Sequence, residues 1–200
     1  MIGGMADRFL AHLPIGEPPI PFAGGIAGWE IFPFTGDLQI KTIEPAVVPE
    51  PPRNGEQSTD DCFVCRDPHG PAVWSDDRWI LRHTGGPTAI PAVVLLCPRG
   101  HHDFDDLPAD LGAELFPLMQ RVERAILAVG GVARVHIAKI GDGARHLHWW
   151  FMGRPEGLLQ LRGSCLDLWD DILPKQPEDQ WRAVLREIAE ALAADGGTVH

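Results

Sequence analysis

Six consecutive apolar residues, Ala92-Val93-Val94-Leu95-Leu96-Cys97, constrain this chain more than any other feature. The run has the length of a strand and suits a buried one. It is far too short to cross a bilayer. Before it, Ala72-Val73-Trp74 and Arg78-Trp79-Ile80-Leu81-Arg82-His83 read as a hairpin across Ser75-Asp76-Asp77. After it, the apolar period changes to that of a helix. Leu111, Leu115, Leu118, Met119, Val122, Ile126 and Val129 form one stripe over 109–129, and Pro117 within it predicts a kink or a late start. Strands follow at Arg134–Ile140 and Arg145–Met152. A last helix runs over 177–194, with Trp181, Val184, Leu185, Ile188 and Leu192 on one face. Pro177 suits its first turn and Gly196 lies past its end. This order predicts an α+β fold with a mostly antiparallel sheet, one long helix and a C-terminal helix.

Residues 1–59 read as a strand-containing N-terminal extension, and 60–200 as the main domain. Trp29–Phe32 and Leu38–Ile43 are expected as short strands around Thr35-Gly36-Asp37. Pro45, Pro49, Pro51 and Pro52 mark an extended linker. The proline-rich stretch 14–21 is not expected to be helical. The N-terminus shows no basic segment leading into an apolar core, so a cytoplasmic location is expected. A net charge of −11 disfavours duplex nucleic acid and anionic membrane as partners. It leaves room for a small anion held by a local cluster of Arg, His and backbone N–H groups.

If residues 145–152 form a strand, His146, His148 and Trp150 share one face, while Leu147, Trp149 and Phe151 share the other and suit a core. Two imidazoles on one face, directly after Gly141-Asp142-Gly143, are hard to explain by packing. The four cysteines are Cys62, Cys65, Cys97 and Cys165. In a reducing compartment Cys62 and Cys65 read as metal ligands. His101 and His146 would complete a Cys₂His₂ tetrahedron for zinc, with His102 and His69 as rivals for the third place. A redox dithiol is disfavoured because Cys65 leads into no evident helix. Cys97 is expected in the core. Asp103, Asp105 and Asp106 read as solvated charges at a helix start, and Asp167, Asp170 and Asp171 as flanking an apolar anchor.

The segment His146-Leu147-His148-Trp149-Trp150-Phe151-Met152-Gly153-Arg154 resembles the signature of the histidine triad superfamily, His-x-His-x-His followed by apolar residues. Val93 to His101, with its Cys97-Pro98-Arg99-Gly100-His101 ending, resembles that family's strand before its long helix. Cys62-Phe63-Val64-Cys65 resembles the Cys-x-x-Cys that opens many members. The resemblance implies a histidine-triad fold and a nucleotidyl hydrolase or transferase. It implies His148 as the nucleophile forming a nucleotidyl-histidine intermediate, with His146 beside it in the catalytic pair. It also implies zinc on Cys62, Cys65, His101 and His146, a small nucleotide or phosphoester as substrate, and pairing into a homodimer unless the extension caps the sheet edge.

The chain departs from the pattern in three places. Trp150 replaces the third histidine and offers only an N–H donor; it is expected to bind substrate by lining a pocket and stacking on a base or sugar. The phosphate-contacting Gln is missing, with Arg145, Arg154 or Arg162 as substitutes. Thr84 stands near where many members hold the ribose with an acid. The alternative reading is a catalytically silent, zinc-stabilised nucleotide-binding protein of the same fold.

Overall fold

A computed structural model describes residues 15–18, 20–21 and 28–200. The chain divides into two units, Met1–Pro51 and Pro52–His200. In the first, β1 (Ile20–Pro21) pairs antiparallel with β2 (Gln39–Ile40), and Ile15 bridges Ile43. The strand expected at Trp29–Phe32 does not form. The Phe32 N–H donates to the Trp29 carbonyl at 3.1 Å, closing a local turn where a ladder would need a partner strand. The reading of the N-terminus rests on residues 1–14, which lie outside the described residues, as does part of the proline-rich stretch 14–21.

The second unit holds a six-stranded sheet in the order β6-β7-β5-β4-β3-β8, with every neighbouring pair antiparallel. Its elements are α1 (Phe63–Arg66), β3 (Ala72–Ser75), β4 (Trp79–His83), β5 (Ala92–Pro98), α2 (Ala109–Ala128), β6 (Val132–Lys139) and β7 (Trp149–Pro155). Then come α3 (Leu166–Ile172), α4 (Glu178–Ala193) and β8 (Thr198–Val199). The expected hairpin is β3–β4, and the apolar run is β5, paired on both sides by β4 and β7. Among the described residues no helix is long and apolar enough to cross a membrane.

One face of the sheet carries Leu81, Val94, Leu96 and Phe151, all buried against the apolar stripes of α2 and α4. The α2 stripe buries Leu111, Leu115, Leu118, Val122 and Ile126, and the α4 stripe buries Trp181, Leu185, Ile188 and Leu192. Helix α2 starts at Ala109 and continues through Pro117, so no late start occurs. Pro117 lies on the exposed side of the helix, where water can satisfy the carbonyl one turn back that its ring leaves unbonded. The other face of the sheet carries a smaller cluster, Ile90, Val93, Leu161 and Leu166, with Trp150 and Met152 packed against it.

Three local readings change. Strand β7 begins at Trp149, not at Arg145. The Arg145 N–H donates to the Asn54 carbonyl and the Leu147 N–H to the His102 carbonyl, so these residues pair with loops outside the sheet. Cys65 lies inside a helix after all, the single turn α1, with Cys62 at its N-cap. Asp103 is buried rather than solvated. Its carboxylate accepts from the Phe104 N–H and pairs with Arg53 Nη1 at 2.8 Å and Lys139 Nζ at 3.4 Å.

Burial alone would raise the Asp103 pKa, but the Phe104 N–H and the two cations hold it below the ordinary carboxylate value. Such a group contributes stability above its unfolded pKa, roughly 3.9, and loses it as pH falls through the lower folded value. Asp103→Asn is therefore expected to cost about 1–3 kcal/mol at neutral pH. The gap to wild type should narrow below roughly pH 4. Urea midpoints of both proteins at the two pH values check this.

Candidate functional site

Cys62, Cys65, His101 and His146 bring one ligand atom each into a cluster in which all four lie within 4.8 Å of one another. Cys62 Sγ is 3.4 Å from His146 Nδ1, Cys65 Sγ is 3.3 Å from His101 Nδ1, and Cys65 Sγ is 3.6 Å from His146 Nδ1. A zinc ion with ordinary Zn–S and Zn–N bonds would hold sulfur and nitrogen roughly 3.5 Å apart at tetrahedral corners. The donor set and spacing are compatible with zinc.

The outer hydrogen bonds agree. His146 Nε2–H donates to the Pro98 carbonyl at 2.9 Å, and His101 Nε2–H to the Gly55 carbonyl at 3.1 Å. A carbonyl only accepts, so both Nε2 atoms carry the proton and both Nδ1 atoms turn a lone pair toward the sulfurs. Burial holds the His146 pKa down to about 4 and pushes the Cys65 thiol up to about 11.

The sequence decides this cluster locally. Cys62 at the N-cap and Cys65 within the single turn α1 stand three residues apart, which turns both sulfurs to the same side. Asn54 fixes that turn from outside. Its Oδ1 accepts from the Phe63 N–H, its Nδ2 donates to the Asp61 carbonyl, and its backbone pairs with Gly143 and Arg145. Gly55 follows with φ +77°, and a Cβ there would lie 2.8 Å from Cys62 Cβ and 2.9 Å from His101 Cε1. Only glycine combines that backbone with that clearance. His102 and His69, the rivals for the third place, lie outside the cluster.

His148 borders a cavity of about 330 Å³. The walls are mostly apolar, from Phe63, Val64, Leu95, Cys97 and Trp150, and Arg82 and His83 also line it. The Nδ1–H of His148 donates to the carbonyl of His146 at 2.7 Å. The tautomer follows: Nε2 keeps its lone pair. His146 thus serves the site twice, its ring in the sulfur cluster and its carbonyl on the neighbouring imidazole. Trp150 Nε1 is buried without a hydrogen-bond partner among the described residues. Cys97 is buried as expected, its thiol pushed up to about 12, yet its side chain also reaches the cavity wall.

The three arginines singled out from sequence are placed elsewhere. Arg145 Nη2 pairs with Asp106 at 3.0 Å. Arg154 Nη1 donates to the Pro155 and Leu158 carbonyls. Arg162 follows a 3-10 turn at Leu159–Leu161. None of them lines the cavity with His148. Arg82 lines the cavity and is not among the residues singled out from sequence. The available signal was a charged side chain inside an otherwise apolar strand segment, Trp79-Ile80-Leu81-Arg82.

By sequence, no family and no curated protein matches the chain. Solved structures match by shape. A hypothetical histidine triad nucleotide-binding protein from Sulfolobus tokodaii superposes with a TM-score of 0.51 at 19% identity, over 66% of this chain and 93% of that one. A zinc-bound histidine triad family protein from Mycobacterium smegmatis gives 0.50 at 21% identity, over 68% and 96%. The second unit of this chain has the histidine-triad fold.

Proposed function

We propose that this histidine-triad chain is a nucleotidyl hydrolase or transferase that works through a covalent nucleotidyl-histidine on His148, beside a structural zinc. The observation that carries the reading is the bond from His148 Nδ1–H to the His146 carbonyl, which leaves a nucleophilic Nε2 on a ring that borders the cavity. In the first step Nε2 attacks the α-phosphorus of a nucleotide-like phosphoester. An N–P bond forms, and the P–O bond to the leaving group breaks with its electron pair on oxygen. In the second step water or another phosphate attacks phosphorus. The P–N bond breaks and returns its pair to Nε2, and the proton of the attacking water passes to solvent.

Cys62, Cys65, His101 and His146 are the residues that would hold zinc, an assignment supported by their spacing and by the two imidazole tautomers. A four-ligand site has no open position, so bound zinc would supply rigidity rather than Lewis acidity. Trp150 can donate a hydrogen bond but cannot hand over a proton. The reading therefore favours substrates whose leaving group needs no protonation. The same Trp150 supports the second reading, a silent nucleotide-binding protein.

The two are separated by incubating the zinc-loaded protein with nucleoside phosphoramidates, dinucleoside polyphosphates and nucleotide sugars, followed by a quench without acid and intact mass measurement. A mass gain of one nucleotidyl group, confined to protein that retains His148, is expected. No adduct from any of these substrates would leave the silent reading.

A further inference from the structure

Arg82 sits inside β4, 4% exposed. It faces Leu95 of β5, which in turn faces Trp150 of β7, so the three form one row across the sheet. None of the three belongs to the core that α2 and α4 cover. All three line the cavity that His148 borders. The guanidinium donates through Nη1 to the Asp67 carbonyl at 2.9 Å. Among the described residues, no carboxylate forms an ion pair with it.

A buried charge without a counter-charge is costly, and proteins keep such groups paired or ligated. One backbone carbonyl uses one of five donors and offsets none of the formal charge. Tethering Asp67 would need only a neutral donor, so the cation calls for a further explanation. It stands in a mostly apolar cavity, where screening by water is weak and an anion would be held strongly. The chain as a whole carries a net charge of −11, so an anion needs a local cation to hold it.

We infer that Arg82 is the phosphate-binding cation of this site, holding non-bridging oxygens of the phosphoester that His148 attacks; the inference rests on that reading of His148. A guanidinium meets two phosphate oxygens through parallel N–H donors. It neutralises charge that would otherwise repel the approaching lone pair, and it fixes the phosphorus relative to Nε2. Arg82 thus takes the role for which the sequence offers Arg145, Arg154 and Arg162, each placed outside the cavity.

The test is calorimetric binding to full-length, zinc-loaded protein, with adenosine 5′-monophosphate, adenosine and inorganic phosphate as probes. Wild type should prefer the monophosphate to the nucleoside, and inorganic phosphate should compete with the former. Arg82→Gln should weaken the monophosphate roughly ten- to a hundredfold while leaving adenosine within about twofold. Arg82→Lys should keep part of the preference, because it keeps the charge and loses the fork. If Arg82→Gln does not fold, the partial loss in Arg82→Lys is the deciding measurement. An unchanged ratio in the variants, equal losses for both ligands, or a wild type that binds neither phosphate nor monophosphate would overturn the assignment. The covalent step fails separately: a shifted binding ratio without any nucleotidyl adduct would leave Arg82 its role and remove the histidine intermediate.

Discussion

His148→Ala is expected to abolish turnover, with a loss on the order of 10⁴-fold or more. A covalent mechanism without its nucleophile loses a step, and neither the neighbouring imidazoles nor Trp150 can replace it. His146 points its only free nitrogen into the sulfur cluster and spends the other on Pro98. His83 also borders the cavity, but its Nδ1 accepts from the Gly85 N–H and its ring packs edge-on against Trp181 at 5.0 Å. Trp150 has no lone pair to offer. Trp150→Ala should instead change rate or substrate preference. The measurement is single-turnover kinetics on the substrate that labels wild type, with zinc content and melting temperature recorded beside it. A folded, zinc-replete His148→Ala protein with near-normal turnover would sink the covalent reading.

The second large effect is expected at Cys62. On the proposed zinc site, Cys62→Ser should lose the ion and with it the order of α1, Asn54–Gly55 and the 99–103 loop, all of which meet at the cluster. Structural zinc contributes about 10–16 kcal/mol in small zinc modules, against a total stability of about 5–15 kcal/mol for a typical domain. A drop in melting temperature well beyond that of an ordinary core substitution should follow. Cys97→Ala is the control, since Cys97 is buried and close by but lies outside the cluster; it should retain full zinc. Metal analysis and calorimetric melting of both variants decide. A Cys62→Ser protein that melts like wild type would mean that the fold does not depend on the ion.

Much of this architecture was legible because residue type and period agreed. The β5 run, the α2 and α4 stripes and the β3–β4 hairpin each follow from a pattern that only one element satisfies. The Cys62/Cys65 pair was legible because two thiols one helical turn apart present a ready chelate. The choice among His101, His102 and His69 was not, because it depends on where the chain after β5 turns, and that turn is held by distant partners. The start of β7 was misjudged for the same kind of reason. Alternation continues through His146 and His148, but Asn54 and His102 take the backbone bonds that would have extended the ladder. Asp103 looked like one of three solvated acids because its partners, Arg53 and Lys139, come from segments far off in sequence. Arg82 was hidden inside a strand pattern that was otherwise correct.

The double use of His146 ties two properties that are usually adjustable apart. A ligand ring and a hydrogen-bonding carbonyl on one residue make a short lever, with the sulfur cluster as its fulcrum and the neighbouring imidazole at its free end. Any loosening at the fulcrum would be felt as lost aim at the tip, although nothing that touches substrate has changed. On the reading proposed for this site, a cell short of zinc would hold this protein with a complete set of reactive groups and no fixed direction for the one that attacks.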